Sequence, residues 1–76
     1  MKVTVAKPDK PVWEGEARQI LLPLQSGDIT VLENHAPMVG LLREGELVIS
    51  SSEQVKILVK RGIVTISANQ VDILVR

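Results

Sequence analysis

The residue best placed to do chemistry in this chain is its only histidine, His35, set between Glu33-Asn34 and Ala36-Pro37-Met38. Imidazole titrates near neutral pH and can act as a general base. Such a base needs an orienting carboxylate, and nucleophilic catalysis also needs a hydroxyl or thiol within reach. Glu33 sits on the same turn, while Ser26 and Ser50-Ser51-Ser52 fall in loops, and their spacing forms no triad. His35 is therefore expected to stabilise a turn or hydrogen-bond at an interface. Asp28, after Gly27, admits two readings: ordinary turn chemistry, or an exposed acidic contact on the same edge as His35. Glu14 and Glu16 flank Gly15 and read as solvated, with Gly15 marking a bulge or bend. Paired carboxylates for glycoside chemistry would need a cleft, for which a sandwich of this size has little volume. The glycines are isolated, with no Gly-Lys-Ser/Thr run to cradle a phosphate. One histidine and no cysteine cannot build a structural zinc site. No catalytic residue, cofactor or metal is expected.

These side chains must be carried by strands, because the period is two almost everywhere. Val3 and Val5 alternate with Lys2 and Thr4 until Lys7-Pro8-Asp9-Lys10-Pro11 breaks the run. Val12-Trp13 opens a second strand, bent at Gly15. Ala17 to Leu22 form a third, stopped by Pro23. Further strands follow at Ile29–Leu32, Met38–Leu42, Leu47–Ile49, Val55–Val59, Ile63–Ser67 and Val71–Val75, with turn residues between them. Closely spaced turn signals between β-branched runs read as an all-β sandwich or barrel. No helix, repeat or linker interrupts the pattern, and residues 1–76 make a single domain.

Several strands carry apolar residues on both phases. With Val55-Ile57-Val59 and Val71-Ile73-Val75 pointing inward, Leu58 and Leu74 face out, and Leu21 does likewise between Ile20 and Leu22. Scattered exposed leucines are ordinary. Gathered on one covered outer face, they would instead make a docking surface for a partner, a reading that requires Leu21, Leu58 and Leu74 to lie close together.

Composition excludes other classes. Hydrophobic residues reach 45% with one aromatic, Trp13, so the core must be built of Val, Ile and Leu. A chain this short buries only ~60% of its unfolded surface, so a very apolar core or a partner is needed. Nine basic and nine acidic residues cancel, and only Lys60 and Arg61 adjoin among the basic ones. Nucleic-acid binding, which needs a concentrated positive face and stacking aromatics, is not expected. No apolar run approaches the ~18 residues of a membrane helix. The chain is expected to be soluble, untargeted and compatible with a reducing compartment.

The segment Gly27-Asp28-Ile29-Thr30-Val31-Leu32-Glu33-Asn34-His35-Ala36-Pro37-Met38 resembles the signature of the epsilon subunit of F-type ATP synthases. In that family it runs Gly-acid-apolar-Gly-apolar-apolar-Pro-Gly-His-Ala-Pro-apolar. The likeness extends over the chain. Val12-Trp13-Glu14-Gly15-Glu16-Ala17 is similar to the family's apolar-aromatic-x-Gly-Glu-Ala, and Leu22-Pro23 followed by Gly27-Asp28 resembles its Pro-Gly-x-x-Gly-acid turn. Leu41-Leu42-Arg43-Glu44-Gly45 with Ile49, Lys60-Arg61-Gly62-Ile63-Val64, and Gln70-Val71-Asp72-Ile73-Leu74 stand where further family motifs fall. Thr30 replaces a glycine, Arg61 the first of a glycine pair, and Glu33-Asn34 a Pro-Gly. Asn34 is the best non-glycine substitute at a left-handed position.

The resemblance implies a flattened β-sandwich of about ten short, mostly antiparallel strands. It also implies a non-catalytic rotor subunit that links the gamma subunit to the polar loops of the membrane c-ring, without entering the membrane. The expected setting is the cytoplasmic face of a bacterial inner membrane. Asp28 and His35 are expected to face the ring, with Met38 and Val39 close to gamma. The C-terminal helical hairpin usual in the family, with its inhibitory and nucleotide-binding roles, is expected to be absent. The alternative is a free-standing sandwich that recognises a peptide by strand addition.

Overall fold

Alternation of aliphatic and polar residues builds nine strands, and the computed structural model describes all residues, 1–76, without a helix. They are β1 (Lys2–Lys7), β2 (Lys10–Glu16), β3 (Gln19–Leu24), β4 (Gly27–Leu32), β5 (Met38–Leu42), β6 (Gly45–Ser50), β7 (Gln54–Val59), β8 (Gly62–Ser67) and β9 (Gln70–Val75). Most connections are two residues long, so turn geometry fixes register tightly. No helix is long and apolar enough to cross a membrane.

The strands form one ladder in the order β2-β1-β9-β8-β5-β3-β6-β7, with β4 alongside β3. All pairs are antiparallel except β1 with β9, the first and last strands. The ladder divides naturally into two half-sheets, β2-β1-β9-β8-β5 and β4-β3-β6-β7. Their only pairing is Leu24 with Leu42. Two main-chain bonds make that joint: Gln25 N–H to Leu41 O and Arg43 N–H to Pro23 O, each 2.9 Å. The sheet curls about this narrow joint and closes its inner faces on one cluster of seventeen buried residues.

That cluster is aliphatic, and the expected inward phases hold: Ile20, Leu22, Val59, Val71, Ile73 and Val75 are all buried. No polar or charged residue is buried.

Two local expectations are overturned. Pro23 does not stop β3, which continues to Leu24 with Pro23 buried and opposite Asp28. Proline is tolerated because β3 changes neighbour here, pairing with β6 as far as Leu21 and with β5 only at Leu24. The missing N–H thus falls in a gap of the ladder. Nor is Gly15 a bulge. It pairs in register with Val3, while the irregularity lies between Val5 and Ala6, opposite Trp13 and Pro11. The Trp13 ring lies over it, 2.9 Å from where a Cβ would stand, so a side chain here would displace the ring.

Gly62 meets a harder constraint, since a Cβ there would press on the Leu74 carbonyl oxygen and the Val75 backbone. Gly62→Ala is expected to lower stability by about 1–3 kcal/mol in urea denaturation, the usual cost of overpacking. Leu58→Ala, at a side chain on a residue 81% exposed, is expected to stay within about 0.5 kcal/mol. Equal losses would show that the β8–β9 approach does not limit the fold.

Candidate partner-contact surfaces

The Gly27–Met38 segment is built around β4, an edge strand that pairs only with β3. At its start Gly27 adopts φ 129°, the turn conformation expected before Asp28. Asp28 is not a free acid: Arg43 Nη2 donates to Asp28 Oδ1, and Arg43 Nη1 donates to Glu44 O at 3.0 Å. The pair ties the β3–β4 turn to the β5–β6 turn. Both partners are exposed, so its energetic weight is small and its effect is positional.

Past the other end of β4, Asn34 takes φ 63°, the left-handed conformation expected of it. Its N–H donates to Asn69 Oδ1 at 3.0 Å, and Asn69 is itself left-handed at φ 59°. Glu33 Oε1 accepts from the Met1 ammonium at 3.2 Å. These contacts lock the loop that carries His35. The imidazole is half-buried and 2.6 Å from Ala36 O through Nδ1. A carbonyl only accepts, so Nδ1 carries the proton. That contact holds the ring against the turn that carries it.

Asp28 and His35 do not share a contact edge in the sense expected. The four extended residue steps from Asp28 to Leu32 span about 13 Å, and His35 lies beyond them. They therefore sit at opposite ends of the sandwich, Asp28 with Arg43 and His35 with Asn34 and Asn69. A fully extended β4 holds apart what sequence proximity suggested was together. Met38 packs, half-buried, against the core, whereas Val39 points outward and is 70% exposed.

The outward leucines divide between the two half-sheets. Leu21 pairs with Thr30 and Val48, and Leu58 with Glu46, so both lie outside β4-β3-β6-β7, Leu21 between a polar and an apolar neighbour and Leu58 beside a carboxylate. Leu74 lies outside the other half-sheet, and the single surface expected of Leu21, Leu58 and Leu74 does not form. The reason is topological, since β9 and β7 belong to different layers.

Leu74 acquires other company. It pairs with Ala6 and Ile63, and Ile63 pairs with Leu41, giving an unbroken apolar row Ala6-Leu74-Ile63-Leu41 across four strands. At ordinary strand spacing the row is about 14 Å long. Leu41, Ile63 and Leu74 are exposed, and Val39 extends the patch on β5. Ile63 and Arg43 were missed as site residues. Ile63 was readable, because Val64 and Ile66 inward put it outward, whereas the Arg43–Asp28 pair arises only from the layout of turns.

Fold and surface thus define a β-sandwich with an exposed apolar row on one outer face. Residues 1–76 match the ATP synthase, Delta/Epsilon chain, beta-sandwich domain, and the chain belongs to this family. It is 38% identical over 76 residues to an ATP synthase epsilon chain of Thermosynechococcus vestitus, covering 99% of this chain and 55% of the relative. It is 32% identical over 80 residues to the chloroplastic epsilon chain of Tetradesmus obliquus, covering 95% of this chain and 59% of the relative. The chain therefore spans somewhat more than half the length of these relatives. A chain in the structure of the Tetrahymena thermophila mitochondrial ATP synthase central stalk and c-ring shares the fold. Its TM-score is 0.81 at 22% identity, over 97% of this chain and 61% of that one.

The turn chemistry is directly testable. Asn34→Gly is expected to leave stability unchanged or slightly raised, and Asn34→Ala to lose about 1 kcal/mol through its left-handed backbone. For a domain of this size that is about 4–8 °C in thermal midpoint. Equal midpoints for the two variants would refute the role assigned to this turn.

Proposed function

We propose that this domain fastens the rotor of an F-type ATP synthase and does no covalent chemistry itself. It grips the gamma subunit through the patch of Val39, Leu41, Ile63 and Leu74 and meets polar loops of the c-ring at its Asp28 end. Rotation then passes between membrane ring and stalk without slip. The observation that carries the reading is the apolar row Ala6-Leu74-Ile63-Leu41 on a domain of this family. An exposed aliphatic row on a rigid sandwich suits a lasting contact with another subunit.

Because Asp28 and His35 lie at opposite ends, they take different partners in this proposal. Asp28, on an exposed turn braced by Arg43, is the ring-side group. His35 adjoins Met38 and Val39 and goes with the stalk. Ring contact made by exposed charges is weak per residue and depends on shape. The domain then works on the peripheral side of the coupling membrane. A bacterial inner membrane is the narrower placement, and the chloroplastic relative marks the alternative setting.

Introducing a charge into the row tests the assignment. Ile63→Asp is expected to weaken co-purification with the gamma subunit by at least about tenfold, because an unpaired carboxylate would be buried on binding. Leu58→Asp, on the other layer, is expected to leave it unchanged. With folding checked by circular dichroism, equal retention of both variants would overturn the gamma contact. A cysteine at position 28 that crosslinks to no ring subunit would overturn the ring contact.

A further inference from the structure

We propose that an open groove beside the joint of the two half-sheets binds a phosphate monoester, its apolar body lying along Leu41, Ile63 and Leu74. The groove has a volume of about 680 Å³, and its charged lining is Arg43, Lys60, Arg61, Arg76 and Glu44. This is within the usual range for small-molecule sites, roughly 300–1,000 Å³.

Charge is concentrated there against the balance of the chain. Net charge is zero overall, yet four cationic side chains share this lining with one carboxylate. The four ion pairs of the molecule involve Met1 twice, Lys2 once and Arg43 once, so Lys60, Arg61 and Arg76 have no acidic partner. Setting Glu44 and the Arg43-bound Asp28 against the four cations leaves a side-chain balance of two positive charges. A phosphate monoester carries about −1.5 to −2 at pH 7 and offers three acceptor oxygens. Guanidinium forks suit phosphate oxygens in bidentate fashion.

Geometry adds a second requirement. Arg76 N–H donates to Arg61 O at 3.1 Å, which joins the start of β8 to the end of β9 at the groove floor. From there the wall continues without a polar break through Leu74, Ile63 and Leu41. Inorganic phosphate would use only the cationic end. A monoester of an alkyl or lipid alcohol would use both. The proposal does not depend on the rotor assignment, since binding is read on the isolated chain; where gamma covers Leu41, Ile63 and Leu74, ligand and gamma exclude each other.

The test is titration of the ¹⁵N-labelled chain with octyl phosphate, octyl sulfate and inorganic phosphate, followed by amide shifts. Saturable octyl phosphate binding is expected, with shifts gathered at Arg61–Ile63 and Leu74–Arg76. Octyl sulfate and inorganic phosphate are each expected to bind at least about fivefold more weakly. Arg61→Ala is expected to weaken octyl phosphate about tenfold, the loss of one charge-assisted contact, while Arg61→Lys retains part of the affinity. Lys56→Ala, on the outer face of β7, is expected to change nothing. Sedimentation with phosphatidic acid vesicles, against phosphatidylcholine alone, separates a lipid-borne monoester from a soluble one; the ester class stands with either. Absence of saturable binding would overturn the proposal. So would equal affinity for all three anions, or indifference to Arg61→Ala in a variant with an unchanged thermal midpoint.

Discussion

Two main-chain hydrogen bonds, Gln25 N–H to Leu41 O and Arg43 N–H to Pro23 O, hold the only seam between the half-sheets. The seam must be narrow. A wide β3–β5 ladder would keep the sheet flat, and a flat sheet exposes its aliphatic face to water. With the pairing confined to Leu24 and Leu42, the layers turn toward each other and all seventeen core residues meet. The composition makes this closure compulsory. One tryptophan cannot fill a core, so many small aliphatic side chains must converge from both layers. Pro23 belongs to the same solution, because β3 loses a ladder donor where its neighbours change and no donor can be used.

The seam also organises the surface. Arg43 contributes its N–H to the seam and its guanidinium to Asp28, so the turns on either side of the joint are fixed by one residue. The cationic groove opens beside it, lined by Arg43, Leu41 and Leu42 from β5 and the following turn. At the opposite end Asn34, Asn69, Glu33 and Met1 make a second, polar clasp. The domain is therefore tied at both ends.

How far the sequence could be read follows from the range of each interaction. Strand phase is local, so alternation alone placed Ile20, Leu22, Ile73 and Val75 inward and Leu21, Leu58 and Leu74 outward. Asn34 was legible for the same reason, since a left-handed turn position restricts residue type at that one site. Layer membership is not local. Nothing in Leu58 or Leu74 says that β7 and β9 lie in different half-sheets, and so one expected docking face became two. The separation of Asp28 from His35 was lost for a related reason, because seven residues can span a tight turn or a full strand. Gly15 looked like a bend because the ring that a side chain there would displace belongs to Trp13 on the same strand, and only side-chain direction reveals it.

The difference between the two outer faces bears on mechanism. On β4-β3-β6-β7, the pair Leu21-Val48 is bounded by Thr30 and Lys56 and Leu58 lies opposite Glu46, a pattern that water tolerates. On the other half-sheet no polar residue interrupts Ala6, Leu74, Ile63 and Leu41. Core formation cannot account for that row, because Val5, Ile73, Val64 and Leu42 already supply the inward phase of the same strands. Nor does strand propensity require it, since Thr4, Asp72 and Thr65 occupy the adjacent row of the same face. An apolar row unexplained by folding and confined to one layer supports the contact proposed for that layer. In the proposed role, a grip on this layer alone leaves the opposite layer and the Asp28 end free, and a link between two moving parts needs separate surfaces for each.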